Sequence, residues 1–279
     1  MAIKGTILGG IIGSQYEFRR PKDFDYRTAE LLTDKCRFTD DTVLTVATKY
    51  AIDNNIDFAD AYHLFGNKYL NVGYGERFMD WLTSNDKLPY GSYGNGSAMR
   101  VSPIVDYLAS LPKSVFISQK KFDRELLYQS KISANCTHNS DEGIKGAQTV
   151  AMLIAMAKFG MSKEDLLQYG IEKYPKEKYV YSPAYTLDEI SSRYCWNATC
   201  QGSIPAVIRC IYEANSYTEF IRNVFKLKCD TDTLCAIGGG IAEELFDNEN
   251  DEILSAADEI LQKYLDDYLL NVLNNSYGG

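Results

Sequence analysis

The helical pattern of this chain is clearest in the stretch IKGAQTVAMLIA, residues 144–155. Its apolar side chains recur at the spacing that places them on one face of a helix, namely Ile144, Ala147, Ala151, Ile154 and Ala155. The same spacing returns over residues 253–268, near the end of the chain. These two stretches therefore predict two long amphipathic helices.

Six more segments bounded by Gly, Pro, Asn or Asp predict helices, at 42–54, 58–70, 123–134, 163–173, 203–214 and 231–246. No β-branched runs recur at the 8–12-residue spacing typical of a sandwich, and no βαβ series is present. Residues 174–189, rich in Tyr and Pro, predict an ordered loop. The sequence therefore predicts an all-α fold.

Composition excludes several classes of protein. The chain has 279 residues, of which 45% are hydrophobic and 24% charged, as in an ordinary globular protein. A net charge of -9 disfavours general nucleic-acid binding, and no apolar run reaches the ~20 residues of a membrane span. Seven cysteines without a CxxC pair, with only two histidines, disfavour zinc and disulfides. We expect reduced thiols and a cytoplasmic protein.

Two acidic strings precede predicted helices. The first is Phe38-Thr39-Asp40-Asp41-Thr42, and the second is Asp230-Thr231-Asp232-Thr233. Helix capping explains each string alone, with Thr39 and Asp230 as the capping residues. If the two helix starts converge, however, four carboxylates meet, which is costly without cations. Oxygen ligands of this kind suit Mg²⁺ or Mn²⁺, and such a shared site favours one domain over residues 1–279.

Two glycine-rich loops offer backbone N–H groups to an anion such as a diphosphate, although glycine clusters are more often simple turns. They are Val72-Gly73-Tyr74-Gly75-Glu76 and the run from Gly91 through Ser92, Tyr93, Gly94 and Asn95 to Arg100. His138 precedes a predicted helix whose first turn is acidic. It is therefore either a residue of the capping turn or a hydrogen-bond donor to a phosphate or ribose.

The motifs together resemble the ADP-ribosylglycohydrolases, which include the dinitrogenase reductase-activating glycohydrolase. The resemblance rests on Thr39 to Thr42, on Gly94-Asn95-Gly96-Ser97-Ala98-Met99-Arg100, on Thr137-His138 and on Asp230 to Thr233, in that order over about residues 3–247. It implies a compact orthogonal helical bundle with a metal cleft holding two Mg²⁺ or Mn²⁺. It also implies hydrolysis of the C1″ bond between ADP-ribose and an acceptor side chain.

The resemblance further implies roles for individual residues. It matches Glu17 to a glutamate near the metals that is implicated in catalysis. It matches Thr39, Asp40, Asp41, Asp230, Asp232 and Thr233 to the metal centre, and Gly73, Tyr74, Gly75, Ser92, Tyr93, Gly94, Asn95 and His138 to substrate contacts. On this basis, Glu17 and Asp41 are the candidate proton carriers. One departure is Gly10, where many relatives have Asp. Because that Asp is not among the matched ligands, we expect its loss to alter local packing more than activity.

The expected partner is an ADP-ribosylated protein or another ADP-ribose derivative. The linkage stays open between arginine and serine, because no motif reports on the acceptor side of the cleft. Two alternatives also stay open. One is a reader that binds ADP-ribose without cleaving it, and the other is a hydrolase of small molecules such as O-acetyl-ADP-ribose.

Overall fold

The structure, a computed structural model, describes residues 1–84, 86–112, 114–116, 118–246 and 249–275. The predicted domain over residues 1–279 also includes residues 85, 113, 117, 247, 248 and 276–279, which lie outside these ranges. Within them the chain forms helices and no β-strand, so the all-α prediction is confirmed. The helices are α1 Ala2–Gly13, α2 Asp40–Asn54, α3 Phe58–Lys68, α4 Glu76–Thr83, α5 Ser102–Ser110, α6 Gln119–Asn135, α7 Asp141–Lys158, α8 Lys163–Lys173, α9 Leu187–Arg193, α10 Cys200–Tyr212, α11 Tyr217–Lys226, α12 Thr231–Leu245, α13 Glu252–Ser255, α14 Ala257–Tyr264 and α15 Asp267–Asn274.

The last part of the chain differs from its prediction. The helical spacing over residues 253–268 predicts one long helix, but the structure divides this stretch among α13, α14 and α15. Ala256 leaves helical geometry between α13 and α14, and the carboxylate of Asp266 accepts a hydrogen bond from the Leu269 N–H to begin α15. Apolar spacing continues across both breaks and therefore cannot reveal them.

Helix α1 packs against α12 through glycines. An ideal Cβ built on Gly5 would lie 2.4 Å from the carbonyl oxygen of Gly239, and one on Gly9 would lie 2.1 Å from that of Cys235. One on Gly13 would lie 2.4 Å from the carbonyl oxygen of Thr231. Rising numbers on α1 meet falling numbers on α12, so the two helices run antiparallel. This close backbone contact, which a side chain would prevent, holds the end of α1 beside the start of α12.

One hydrophobic cluster contains buried side chains from α1 to α15. We therefore keep a single domain over residues 1–279 as a proposal, which this shared core supports. Five of the seven cysteines are buried, and all seven are free. Among the described residues, no helix has the length and apolar character needed to cross a membrane.

Candidate active site

The two acidic helix starts converge. At the start of α2, the Thr39 hydroxyl donates a hydrogen bond to Asp41 Oδ2 over 3.1 Å. The hydroxyl of Thr233, in the first turn of α12, donates to the same oxygen over 3.4 Å. Residues almost two hundred positions apart are therefore in direct contact, as the metal hypothesis requires.

Helix capping does not explain the Thr39 and Asp230 side chains of the two acidic strings. Thr39 and Asp230 do occupy the N-cap positions of α2 and α12, but neither side chain makes a capping hydrogen bond. Thr39 bonds to Asp41 instead, and Asp230 Oδ2 accepts a hydrogen bond from Asn95 Nδ2 over 2.9 Å. These side chains therefore face the point where the two helices meet, and not their own helix ends.

The carboxylates at this point repel one another. Burial and then the charge of Asp232 raise the pKa of Glu17 to about 8 and that of Asp40 to about 7. Burial is also the largest cause that raises the pKa of Asp41, Asp230 and Asp232. In the described part of the chain, no Lys or Arg forms an ion pair with any of these five groups.

This arrangement fits divalent cations. Carboxylate oxygens of Glu17, Asp230 and Asp232 all lie within 4.8 Å of one another. Asp41 Oδ1 is buried without a hydrogen-bond partner, although a buried carboxylate normally has one. The donor set contains only carboxylate and hydroxyl oxygens, which hard ions such as Mg²⁺ and Mn²⁺ prefer.

The carboxylates open into a cleft of about 460 Å³. Glu17, Asp40, Asp230, Asp232 and Thr233 line its acidic end, whereas Thr39 and Asp41 lie buried beneath. Of the predicted substrate-contacting residues, the cleft lining includes Gly73, Gly75, Ser92, Gly94, Asn95 and His138. The side chain of Tyr74 instead packs on Phe78, and that of Tyr93 is half-exposed; neither residue is part of the lining.

The glycines of the two loops bring backbone to the cleft wall. Gly73 has a φ of 105°, in the left-handed region that favours glycine. An ideal Cβ on Gly94 would lie 3.4 Å from His138 Nε2, and one on Gly96 would lie 3.5 Å from it. The His138 imidazole therefore lies beside the glycine-rich loop, at ordinary van der Waals distance from a Cβ at either position.

His138 lines the cleft and is not the cap of α7. The Ser140 hydroxyl fills that role by accepting a hydrogen bond from the Gly143 N–H. His138 Nδ1 lies 2.7 Å from Thr137 Oγ1, which in turn accepts a hydrogen bond from Arg100 Nη2. The Thr137 hydroxyl and Nδ1 share one hydrogen bond, and its direction depends on which ring nitrogen carries the proton. Burial and then the charge of Arg100 lower the pKa of His138 well below its usual range.

Sequence reasoning did not single out several residues that line the cleft. Trp196, half-exposed, and Phe18, largely exposed, lie at its rim, and Arg100 is completely buried at its wall. No spacing or composition signal distinguishes Trp196 or Phe18 from other surface aromatics. Arg100 lies within a quoted motif, but its burial is visible only in the structure.

Comparison with known proteins identifies the family and the fold. The family model described as ADP-ribosylglycohydrolase matches residues 1–242. A solved structure titled "ADP-ribosylglycohydrolase-related protein complex" shares the fold, with a TM-score of 0.66 at 18% identity, over 93% of each chain. No curated protein gives a significant match. Because the family model covers most of the chain, the protein belongs to the ADP-ribosylglycohydrolase family, a family of hydrolases.

Proposed function

We propose that this protein is a divalent-cation-dependent ADP-ribosylhydrolase. Its substrate is ADP-ribose attached to an arginine or serine side chain, and it hydrolyses the bond at C1″. The observation that carries the proposal is the meeting of Glu17, Asp40, Asp41, Asp230 and Asp232 at one end of a cleft. A protein that only binds ADP-ribose needs the cleft but does not need these buried carboxylates, which destabilise the folded protein when no cation is bound.

The residues that hold the metal are Thr39, Asp40, Asp41, Asp230, Asp232 and Thr233. Two bound Mg²⁺ or Mn²⁺ would neutralise the carboxylates and polarise oxygens of the sugar or of a water molecule. Asn95 positions Asp230 by donating to Oδ2, and it also donates to the Ser203 hydroxyl over 3.1 Å. That second bond fixes the amide, and thereby the direction of the Asp230 carboxylate.

Glu17 and Asp41 carry the protons in this proposal. Glu17 follows the end of α1 and lines the cleft, so it can contact the leaving group or the attacking water. Asp41 lies beneath, where two hydroxyl donors fix its Oδ2 and leave its Oδ1 free. Carboxylates beside C1″ also stabilise positive charge that develops on the sugar ring during cleavage.

The wall of glycines and His138 receives the rest of the ligand. Gly73, Gly75, Ser92, Gly94 and Asn95 bring backbone and small polar groups to the diphosphate and ribose. The neutral imidazole of His138 lies there as well. Tyr74 and Tyr93 remain predicted contacts, which would need a movement of their side chains toward the ligand.

Release of free ADP-ribose tests the proposal. Arginine-linked, serine-linked and O-acetyl-ADP-ribose substrates are each incubated with Mg²⁺, with Mn²⁺ and with EDTA, and Asp232→Asn serves as the matched control. We expect cation-dependent release from a protein-linked substrate and none from the control. Release from O-acetyl-ADP-ribose alone would favour a small-molecule hydrolase. Binding of ADP-ribose without any release would instead favour a reader, and either result would contradict the proposal.

A further inference from the structure

Glu17 lies in a short segment that has few contacts of its own. In the described part of the chain, the backbone of Glu17, Phe18 and Arg19 makes no hydrogen bond with other backbone groups. The side chains of Phe18 and Arg19 are exposed. A carboxylate oxygen of Glu17 lies within 4.8 Å of those of Asp230 and Asp232, and like charges repel. Without cations, Glu17 therefore leaves the cleft unless the residues beside it hold it there.

The buried side chain of Gln15 anchors the chain just before this segment. Its Nε2 donates hydrogen bonds to the carbonyl oxygens of Leu31 over 2.8 Å and Glu30 over 3.2 Å. The same nitrogen lies 3.3 Å from the carbonyl oxygen of Ile12, near the end of α1. At the other end of the amide, Oε1 accepts a hydrogen bond from the Thr33 hydroxyl over 2.9 Å. Because carbonyl oxygens only accept, a single orientation of the amide satisfies all these groups.

Tyr16 and Arg20 complete the anchoring on either side. The Tyr16 hydroxyl donates a hydrogen bond to the same Glu30 carbonyl oxygen over 2.9 Å, and its ring lies 5.0 Å from that of Phe225 between centroids. Arg20 Nη1 donates to the Phe225 carbonyl oxygen over 2.9 Å. Residues 17–19 are therefore a short span between two fixed points. Since so short a span has little freedom, its anchors determine where its side chains point.

We propose that Gln15 is a positioning residue, whose amide fixes the chain to residues 30–33 and thereby keeps the Glu17 carboxylate at the acidic end of the cleft. The inference rests on the proposed function, in which Glu17 carries a proton. Gln15 is not part of the cleft lining. It lines a second cavity, of about 860 Å³, together with Tyr16 and Arg19, whereas Glu17 and Phe18 line the cleft. Gln15 therefore acts through Glu17 and not on the substrate.

A purely structural role for Gln15 makes a different prediction. If the amide only joined residues 30–33 to the core, its loss would lower stability and leave the turnover of folded protein unchanged. Under our proposal, folded protein loses turnover, because a small displacement of a reacting group slows a reaction strongly. The KM for substrate changes little, since the glycine-rich wall still receives most of the ligand.

The test measures kcat and KM for release of ADP-ribose from a protein-linked substrate. Gln15→Met removes the amide at similar volume, and we expect it to lower kcat by about 10- to 100-fold and to change KM less than about 3-fold. In a Glu17→Gln background, the same substitution should lower kcat by less than about 2-fold, because the group that it positions is gone. Gln148→Met, which removes an amide-to-carbonyl hydrogen bond of 2.9 Å outside the cleft, should match the wild type.

Limited proteolysis by trypsin gives a second measurement, which does not depend on turnover. Trypsin cuts after Arg19 only when the span of residues 17–19 moves away from the protein surface. We expect Gln15→Met to be cut there at least about 5-fold faster than the wild type, and Gln148→Met at the wild-type rate. If Gln15→Met does not fold, Thr33→Val serves for both measurements, with smaller changes in the same direction because it removes one of the bonds to the amide.

The two measurements separate this inference from the proposed function. A wild-type kcat in Gln15→Met, or a loss of kcat that persists in the Glu17→Gln background, would overturn the inference. If the wild type releases no ADP-ribose but Gln15→Met is cut faster after Arg19, the anchoring is supported and the proposed function fails alone. If the wild type releases ADP-ribose while Gln15→Met keeps its kcat and its cleavage rate, this inference fails alone.

Discussion

The body and the start of helix α12 have opposite relations to their surroundings. Along its body, backbone meets backbone: the carbonyl oxygens of Cys235 and Gly239 lie where side chains on Gly9 and Gly5 would be. At its start, Asp230 and Asp232 lie close to the carboxylates of Asp41 and neighbouring residues, and the buried Asp41 Oδ1 has no hydrogen-bond partner. The body is closely packed backbone, whereas the start holds buried carboxylates that repel one another.

This contrast suggests that close packing along α1 and α12 offsets the repulsion at the site. A substitution in the packed region should therefore lower stability without altering the chemistry of the site. A substitution in the acidic region should remove function and raise the stability of the cation-free protein. The following predictions separate these two effects.

The largest effect is expected at the carboxylates. Asp41→Asn and Asp232→Asn should each lower kcat/KM for ADP-ribose release by about 10³-fold, since bound cations contribute several kcal/mol to such reactions. In EDTA both variants should melt above the wild type, because one charge leaves a repelling buried cluster. Turnover assays and thermal melts measure the two results. A variant that keeps wild-type turnover would refute the role assigned to its carboxylate.

Gly9→Ala tests the packed region. A methyl group there would lie 2.1 Å from the Cys235 carbonyl oxygen, so the helices must separate. We expect a loss of about 3 kcal/mol in the free energy of unfolding, measured by urea denaturation. The folded fraction should keep the Mg²⁺-induced rise in melting temperature. Wild-type stability in this variant would show that the contact is not tight.

The third prediction concerns pH and cations together. Glu17 and Asp40 have a folded-state pKa raised to about 8 and about 7, whereas unfolded carboxyls titrate near 4. Between those values the cation-free folded protein binds more protons than the unfolded chain, so its stability falls as pH rises. Mg²⁺ should therefore raise the melting temperature more at pH 8 than at pH 5. Equal shifts at both pH values would contradict this account.

The smallest effect is expected one residue away from Gly9. An ideal Cβ on Gly10 would lie 3.4 Å from Asp41 Cβ and 3.7 Å from Ala236 Cβ, which are ordinary contacts. Gly10→Ala should change the free energy of unfolding by no more than about 1 kcal/mol, and helix propensity favours Ala. It should retain turnover. Denaturation of this variant beside Gly9→Ala provides a matched pair on one helix.

The sequence predicts the all-α class because long helices such as α7 and α12 carry clear apolar spacing or acidic starts. It does not predict α1, because the glycines of this segment obscure any apolar face. The reason for these glycines is the close contact with α12, which lies far away in the sequence. The acidic strings are visible in the sequence, but their convergence depends on contacts between distant residues. The burial of Arg100 and the neutral state of His138 likewise depend on tertiary neighbours, which spacing does not report.

The most direct test of the central claim is a titration of the cation-free protein with Mn²⁺, followed by electron paramagnetic resonance. The account predicts two bound ions per chain in the wild type and fewer than two in both Asp41→Asn and Asp232→Asn. Gly9→Ala, measured at a temperature where it is folded, should still bind two. Less than one ion bound to the wild type, or unchanged binding in the Asn variants, would contradict the claim that these carboxylates form the metal centre.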